Sequence, residues 1–495
     1  MATHTISKGV GARHSIKAGA LGVAILPMLV LLPVALIGPN TLLALYACAA
    51  LVVGFALLWR PEEPPILLFL FLYQWVQATI ATFYGNLLGL PVGEFAEHSG
   101  RHEDAVALLI TGLIVLAVAM RLAAGRVRPE LPNLFREMVN AYPHQTWVGV
   151  YAATWIFSAA CMAIAPFSGA LTQVFLIFAD LKWAAFLLLT ASTFLARRRS
   201  KLPWVIAFVV EFALGISGFF AGFSSIFFYS LIGISFSGRE LLKRNKGLTA
   251  IIVVAMLIFA VAWTAVKQDY RDFLNSGSRE QVVLVGYENR MTDLFDRIAA
   301  LDGAAMAYGA DKLVQRLTYF EFFGVVLQQS ARGQPHSGGE IWGWGAASPF
   351  MPRLFFPNKP IVDDTALTIR YTGINQPAWR QGTSISLGYM TEAFIDFGFY
   401  GMFAAIAALG LLIGAINRWL LRQTGLRLLV GAAFVPVALM QAKLLEISIV
   451  KLFPALILSV LAGWVLLGFL APMLFRWAGV IKRRPANDYV TNRRG

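Results

Sequence analysis

The chain has 495 residues, of which 58% are hydrophobic and only 14% are charged. Because about a quarter of the residues of a soluble domain are charged, this composition excludes an ordinary soluble protein. The formal net charge of +14 lies in short basic segments beside apolar blocks, so it indicates contact with anionic lipid headgroups and argues against nucleic-acid binding. The two cysteines, Cys48 and Cys161, lie inside apolar blocks and offer no disulfide framework.

Twelve apolar blocks follow one another along the chain, and each is long enough to cross a hydrocarbon core of about 30 Å as a helix of about 20 residues. They predict an all-α polytopic membrane protein with about 12 transmembrane helices. The predicted spans are residues 18–38, 41–59, 65–88, 105–124, 147–166, 171–195, 203–221, 223–238, 249–267, 397–417, 428–446 and 449–475. The basic N-terminus and first apolar block are similar to a signal peptide, but further spans follow directly, so we expect a retained helix.

Lysine and arginine are concentrated in every second connection between the predicted spans, as the positive-inside rule requires. The even-numbered connections are basic, as at Arg239–Lys246 and Arg418–Arg427, whereas the odd-numbered ones are poor in basic residues or acidic, as at Glu94–Asp104. This pattern predicts a multi-pass protein of the bacterial inner (plasma) membrane with both termini in the cytoplasm. The seventh and eighth spans are joined only by Gly218–Gly222, so a single re-entrant hairpin is the alternative there.

Four parts of the chain follow from this topology. They are a bundle of about nine spans at 1–267, a large and partly helical periplasmic loop at 268–396, about three C-terminal spans at 397–476 and a basic cytoplasmic tail at 477–495. Apolar residues recur at helical spacing over Tyr270–Gln329, and the loop then becomes rich in glycine and proline over Gly333–Pro360. Loops of this length are usually functional.

The second half of the loop contains Met351–Pro360, in which prolines bracket an aromatic pair and the cations Arg353 and Lys359 lie six residues apart. Proline restricts the backbone, so the two cations are held at defined positions. Arginine binds phosphate oxygens in a bidentate manner and lysine offers a point charge, which suits a lipid-linked phosphate at a membrane surface. The alternative is an amphipathic loop that rests on the headgroups while its cations snorkel.

Three segments of the chain resemble bacterial polysaccharide polymerases of the Wzy type, in the O-antigen ligase and polymerase superfamily. They are Gln315–Tyr319, Pro352–Pro360 and Ser384–Gly401. The order of many spans, one large external loop and a few further spans is similar too. The resemblance implies a metal-independent, GT-C-like membrane glycosyltransferase that needs no cofactor.

Such an enzyme would transfer a growing glycan from undecaprenyl diphosphate onto the next lipid-linked repeat unit, and so build an O-antigen or exopolysaccharide. Its donor and acceptor would both be undecaprenyl-diphosphate-linked oligosaccharides. A chain-length regulator and a flippase are the further partners that the resemblance allows, besides the membrane lipids.

This chemistry gives the charged residues specific roles. The diphosphate departs with negative charge that cations must stabilise, and a carboxylate should accept the proton of the attacking hydroxyl. The candidates for diphosphate binding are Arg316, Arg353, Lys359, Arg370, Arg380 and Lys443. The first three match the motif segments, the next two share the loop, and the last is expected near the external end of the eleventh span.

Three residues are candidates for the catalytic base. Glu392 and Asp396 lie four residues apart just before the tenth span, so they share one helix face, and His336 lies in a Gly-rich stretch. The two carboxylates could equally cap or orient the start of that span, and the histidine could be an ordinary exposed one. The pair Asp363–Asp364 is a weak signal for a metal, and no metal ligand is predicted.

Charged residues inside or beside predicted spans are costly and indicate function or pairing. They are, in chain order, Asp180, Lys182, Glu211, Lys443, Glu446 and Lys451. A buried ion pair, such as Lys182 with Glu211, is the alternative to a functional role.

The sequence contains no Gly-x-Ser-x-Gly elbow, Walker loop, His-Glu-x-x-His or Cys-x-x-Cys motif, which weakens hydrolase, ATPase and metalloprotease interpretations. Two other functions stay open. An O-antigen ligase would share the topology and the donor, but it would transfer the glycan to lipid A core. A transporter or flippase for lipid-linked glycans would use the intramembrane charges as a path, although the chain has no internal repeat.

Overall fold

The computed structural model describes residues 25–60, 63–126, 128–195, 199–216, 222–236, 245–278, 282–352, 355–356, 358–360, 363–376 and 384–477. Within these ranges the secondary structure is helical and contains no β-strand. The predicted all-α fold class is therefore confirmed.

Nine helical stretches in the described ranges are long and apolar enough to cross a membrane. They contain α2 (Thr41–Leu58), α3 (Ile66–Leu88), α4 (His102–Ala124), α6 (His144–Ile164), α7 with α8 (Thr172–Ala179 and Leu181–Leu195), α11 (Lys246–Leu274), α17 (Tyr389–Leu421), α18 (Gly425–Leu439) and α19 (Ile449–Val465). The chain is therefore a multi-pass membrane protein.

The other three predicted spans coincide with shorter apolar helices. These are α1 (Ile25–Leu36), α9 (Leu202–Ile216) and α10 (Ser224–Phe236). The N–H of Gly222 donates to the carbonyl of Gly215 at 2.8 Å, so the end of α9 lies close to the start of α10. Twelve spans stay a prediction, and so does the hairpin alternative for spans seven and eight.

The helices α4 and α17 pack along much of their length. A Cβ added to Gly414 of α17 would overlap the carbonyl oxygen of Met120, and one added to Gly410 would press against the carbonyl oxygen of Leu116. Glycine lets helix backbones approach closely. Close packing of this kind stabilises the association of helices in lipid, where there is no hydrophobic driving force between them. The backbones of α4 and α17 are therefore in close contact.

The helix α17 is broken at Gly398, where φ is +69° and ψ is −168°. Glycine adopts a positive φ without steric cost, so the break occurs at the residue that best accommodates it. A short helix therefore precedes Gly398 and the apolar span follows it. The predicted start of the tenth span, at residue 397, is next to this break.

The described residues of the large loop form several helices that dock on the membrane helices. They are α12 (Tyr287–Ala299), α13 (Gly303–Leu317), α14 (Glu321–Ala331), α15 (Glu340–Ala347) and α16 (Asp364–Thr372). The first three confirm the helical spacing predicted over Tyr270–Gln329. Gly309 of α13 lies against the carbonyl of Val261 in α11, and Gly345 of α15 lies against that of Ile449 in α19. Two further helices, α5 (Leu131–Asn140) and α20 (Ala471–Trp477), complete the fold.

The helical stretch of the eleventh span ends at Lys443, three residues before the predicted end at residue 446. The α-helix stops at Leu439, and Met440–Lys443 form a 3₁₀-helix that leads into a turn before α19. Polar side chains of α3 bind the backbone groups that this early stop leaves open, as described below. A helix can end inside a bundle only where the protein supplies such partners.

Candidate functional site

Three non-helical segments meet near the middle of α3. They are residues 318–320, 384–388 and 444–448. In a membrane protein, irregular backbone occurs only where the protein encloses it or where it lines a cavity, and broken helices of this kind often surround binding sites. We call this region, together with Gln74 and Gln77 of α3, the polar junction.

Gln74 and Gln77 hold the polar junction together. Nε2 of Gln74 donates to the carbonyl of Ala442 at 2.6 Å. Oε1 of Gln77 accepts from the N–H of Leu445 at 2.9 Å, and its backbone carbonyl accepts from the N–H of Tyr319 at 3.0 Å. Both glutamines are buried. The open backbone groups of the turn before α19 therefore find partners inside the protein.

Tyr319 and Gly388 pack within the same region. The hydroxyl of Tyr319 donates to the carbonyl of Ser386, which ties the first irregular segment to the second. Gly388 has a φ of +78°, and an added Cβ would overlap the carbonyl of Leu445 and the ring of Tyr319. A larger residue at position 388 would therefore separate the three segments.

Three charged residues lie beside the polar junction. Arg316, at the end of α13, and Lys443 each interact electrostatically with the Glu446 carboxylate. Burial raises the pKa of Glu446, and the charges of Arg316 and Lys443 oppose that shift. Arg316 is exposed, whereas Lys443 and Glu446 are half-buried. The structure thus brings together two of the residues predicted to bind diphosphate.

Two further cations extend this cluster, and the sequence analysis missed them. Lys267 and Arg271 of α11 lie within electrostatic range of Arg316. Their i, i+4 spacing at the end of the ninth predicted span puts them on one helix face, and this was the signal that could have found them. Within the described residues, neither Lys267 nor Arg316 forms an ion pair. Because like charges repel, such a cluster favours an anionic ligand. We call Lys267, Arg271, Arg316 and Lys443 the cation cluster.

Two of the three candidates for the catalytic base, Glu392 and Asp396, accept hydrogen bonds from backbone N–H groups. Glu392 accepts from the N–H of Ile449 at 2.7 Å, at the start of α19. Asp396 accepts from the N–H groups of Trp342 at 2.7 Å and Ile341 at 3.2 Å, at the start of α15. Both carboxylates are buried. The sequence left open that they cap or orient the start of the tenth span, whereas these hydrogen bonds go to the starts of two other helices, α19 and α15.

His336 lies on the surface beside the broken part of α17. Its Nδ1 lies 3.3 Å from the carbonyl oxygen of Ile395, and its ring contacts the ring of Phe394 edge to face with centroids 5.4 Å apart. The residue is exposed. Its contacts are those of a histidine that packs over a helix end.

A second region lies between α15 and α16. It is a cavity of about 640 Å³ whose wall includes Trp344, Asp363 and Arg370, and we call it the outer cavity. Nη1 of Arg370 lies 3.5 Å from Oε1 of Glu340, and both side chains are more than half exposed. The ammonium group of Lys359 donates to the carbonyl and the hydroxyl of Ser348 at 2.7 and 2.8 Å, and it lies 5.9 Å from the Trp344 ring centroid. Lys359 therefore orders the wall beside the tryptophan.

Asp363 and Asp364 make separate contacts. Asp363 caps α16 by accepting from the N–H of Thr365 at 2.9 Å, and Asp364 pairs with Nζ of Lys451 at 2.5 Å. Within the described residues, no group of three or more His, Cys, Asp or Glu side chains is placed to hold a metal ion. The predicted diphosphate ligands Arg353 and Arg380 lie outside the described residues.

One intramembrane pair was predicted correctly. Nζ of Lys182 lies 2.7 Å from Oε2 of Glu211, and the hydroxyl of Tyr151 donates to the other carboxylate oxygen at 3.0 Å. The neighbouring Asp180 interacts electrostatically with Lys182 and, to a smaller extent, with Lys443 of the cation cluster.

The fold and the site define an all-helical, multi-pass membrane protein in which cations gather beside an enclosed polar junction. Comparisons with protein-family models, with curated proteins and with solved structures give no match for this chain. What the protein does must therefore be inferred from its residues and their geometry.

Proposed function

We propose that this protein is a membrane glycosyltransferase that polymerises undecaprenyl-diphosphate-linked oligosaccharide repeat units into a cell-surface polysaccharide. The observation that carries the proposal is the meeting of Arg316 from the loop with Lys443 and Glu446 at the polar junction. A diphosphate on a lipid carrier needs cations where an external domain joins the membrane helices, and the cation cluster lies at such a join. In this proposal the loop faces the periplasm, and the protein lies in the inner membrane.

The cation cluster binds the diphosphate of the donor. Arg316 offers paired N–H donors to phosphate oxygens, and Lys443 and Lys267 add point charges. During transfer, the bond between C1 of the donor sugar and the diphosphate oxygen breaks, and a bond from C1 to the acceptor hydroxyl oxygen forms. The electron pair leaves with the diphosphate, where the cations stabilise the developing charge.

Glu446 accepts the proton of the acceptor hydroxyl. A carboxyl whose pKa is raised by burial is a better proton acceptor near neutral pH than an ordinary one. Glu446 is half-buried beside Arg316, whereas Glu392 and Asp396 are buried and bound to backbone N–H groups. Glu446 therefore replaces these two carboxylates as the proposed base.

The outer cavity holds sugars of the glycan. Trp344 offers an aromatic face on which a sugar ring can stack, while Glu340 and Arg370 provide acceptors and donors for hydroxyl groups. Its wall contains Val450, in the first turn of α19, so the cavity lies close to the turn that carries Glu446.

The test measures the length of lipid-linked glycan in cells that lack the protein and carry wild type, Arg316→Ala, Lys443→Met or Lys312→Ala. Lys312 is the matched control, because it is an exposed cation on the same helix as Arg316 and its described polar contact is to Gln315. We expect wild type and Lys312→Ala to restore polymer, and the other two to leave single repeat units. Immunoblots of membranes check that all variants are present at equal levels.

Polymer of normal length with both site variants would refute the assigned roles. Full-length polymer that persists on the carrier lipid in the deletion strain would instead indicate a ligase. A transporter is a second candidate, because broken helices at Gly398 and Asp180 are also a feature of substrate paths. In that case, the lipid-linked repeats of the deletion strain would stay on the inner face of the membrane.

A further inference from the structure

Four arginines surround a small cavity at the end of the bundle where α4 and α17 finish. They are Arg126, Arg128, Arg418 and Arg422. The same cavity is lined by Asn417 of α17 and by Glu63, which precedes α3. It lies far from the polar junction along α4, because the other end of that helix, at His102, packs against Gly324 of the loop.

Among the described residues, the lining of this cavity holds four arginines and one carboxylate, that of Glu63. Within the described residues, none of the four arginines forms an ion pair. The acidic lining residue, Glu63, lies 3.4 Å from Arg121, which is a fifth cation. Arg128 donates to the carbonyl of Gln423 at 3.4 Å, which keeps the segment after α4 close to the end of α17. Arginines held this close to one another repel unless an anion joins them.

Asn417 independently indicates a ligand. Its side chain is 2% exposed, it lines the cavity, and its Oδ1 has no hydrogen-bond partner among the described residues. An unpaired buried amide oxygen costs free energy, and a rotation of the amide by 180° would instead present the N–H₂ group to the cavity. An N–H₂ group in that position would donate to an anionic oxygen. The volume of about 20 Å³ admits one atom of that size.

The position of the cavity identifies the source of the anion. The apolar sequences of α4 and α17 end at Ala124 and Leu421, and both of these residues line it. The cavity therefore lies at the depth where lipid headgroups meet the ends of membrane helices. We propose that it binds the phosphate of an anionic phospholipid, with one phosphate oxygen at Asn417 and the others on Arg126, Arg128, Arg418 and Arg422.

The experiment uses the full-length protein in a neutral detergent and measures binding by native mass spectrometry. The probes are phosphatidylglycerol, phosphatidylcholine with the same acyl chains, and inorganic phosphate. We expect phosphatidylglycerol to bind wild type much more tightly than phosphatidylcholine does. A basic side chain near a phosphate contributes about fivefold in affinity, so Arg418→Gln and Arg422→Gln should each weaken binding about fivefold. Asn417→Asp places a negative charge in the cavity and should abolish the preference.

Arg427→Gln is the matched control, because Arg427 is exposed near the same end of the bundle but does not line the cavity. It should bind phosphatidylglycerol like wild type. Melting temperatures without added lipid show whether each variant is folded, and Arg422→Gln, on an exposed residue, keeps the test decisive if Asn417→Asp does not fold. Equal binding of the two lipids, or equal affinity of wild type and both arginine variants, would overturn the proposal. Binding of inorganic phosphate as tight as that of the lipid would overturn the lipid assignment.

Discussion

The carboxylate of Glu392 accepts a hydrogen bond from the backbone N–H of Ile449 at 2.7 Å. This contact joins the short helix before Gly398 to the first turn of α19, and it lies next to the polar junction. The first N–H groups of a helix have no partner within the helix, so a buried carboxylate at this position satisfies a group that would otherwise be costly. Glu392 therefore fixes the position of α19 along the axis of α17.

Replacement of Glu392 separates its structural role from a catalytic one. Glu392→Ala should lower the free energy of unfolding by about 1–3 kcal/mol, because it leaves the buried N–H of Ile449 unpaired. Glu392→Gln keeps an acceptor and should lose about 1 kcal/mol or less. Melting temperatures in detergent measure both changes. A Gln variant that is folded but makes no polymer would show that Glu392 is the base after all.

The raised pKa of Glu446 predicts a pH-dependent effect on stability. A carboxyl with a higher pKa in the folded state costs stability when it ionises. The cost grows as the pH rises from the unfolded value to the raised folded value, and it stays constant above that. Glu446→Gln cannot ionise, so its melting temperature should exceed that of wild type by more at pH 8 than at pH 4. The same variant should make no polymer, and a difference in melting temperature that is independent of pH would contradict the assignment.

The pair of Lys182 and Glu211 should contribute to stability only as a pair. Lys182→Met leaves the Glu211 carboxylate buried without its cation, which typically costs about 3–5 kcal/mol. Glu211→Gln added to Lys182→Met should restore most of that loss, because the neutral amide can still accept from Tyr151. The yield of folded protein and the melting temperature report on both variants. Loss of polymer in a stable double variant would indicate that the pair has a functional role.

The contact between α4 and α17 should be sensitive to a single methyl group. Gly414→Ala places a Cβ against the carbonyl of Met120 and should destabilise the protein by about 1–3 kcal/mol. Gly149→Ala in α6 is the control, because nothing lies within 4 Å of that position, so the change should be neutral or slightly stabilising. Melting temperatures measured side by side compare the two, and equal effects would show that α4 and α17 do not approach this closely.

Much of the fold could be predicted from local sequence. Each long helix corresponds to an apolar block, because a helix in lipid satisfies its own backbone and needs only enough apolar length. The partnership of Lys182 with Glu211 was accessible too, since a charge inside a span needs a partner. The resemblance to polysaccharide polymerases stays a prediction.

Much less of the candidate site could be predicted from the sequence. Gln74 and Gln77 are isolated polar residues in an apolar block, and their partners Ala442 and Leu445 lie 368 residues further along the chain. No periodicity connects such positions. The spacing of Glu392 and Asp396 correctly places them on one helix face. It does not show that tertiary packing brings α19 to the first carboxylate and α15 to the second.

The sequence by itself determined where the membrane helices run and where basic residues flank them, because hydrophobic length and charge act on each segment separately. Only the tertiary structure decided which charged groups meet beside the polar junction. Arg316 lies 127 residues before Lys443 in the chain, and it comes close to Lys443 and Glu446 because hydrogen bonds to α3 hold the loop and the turn before α19 in one place. Electrostatic interaction depends on distance in space, so the cation cluster exists only once these contacts have formed.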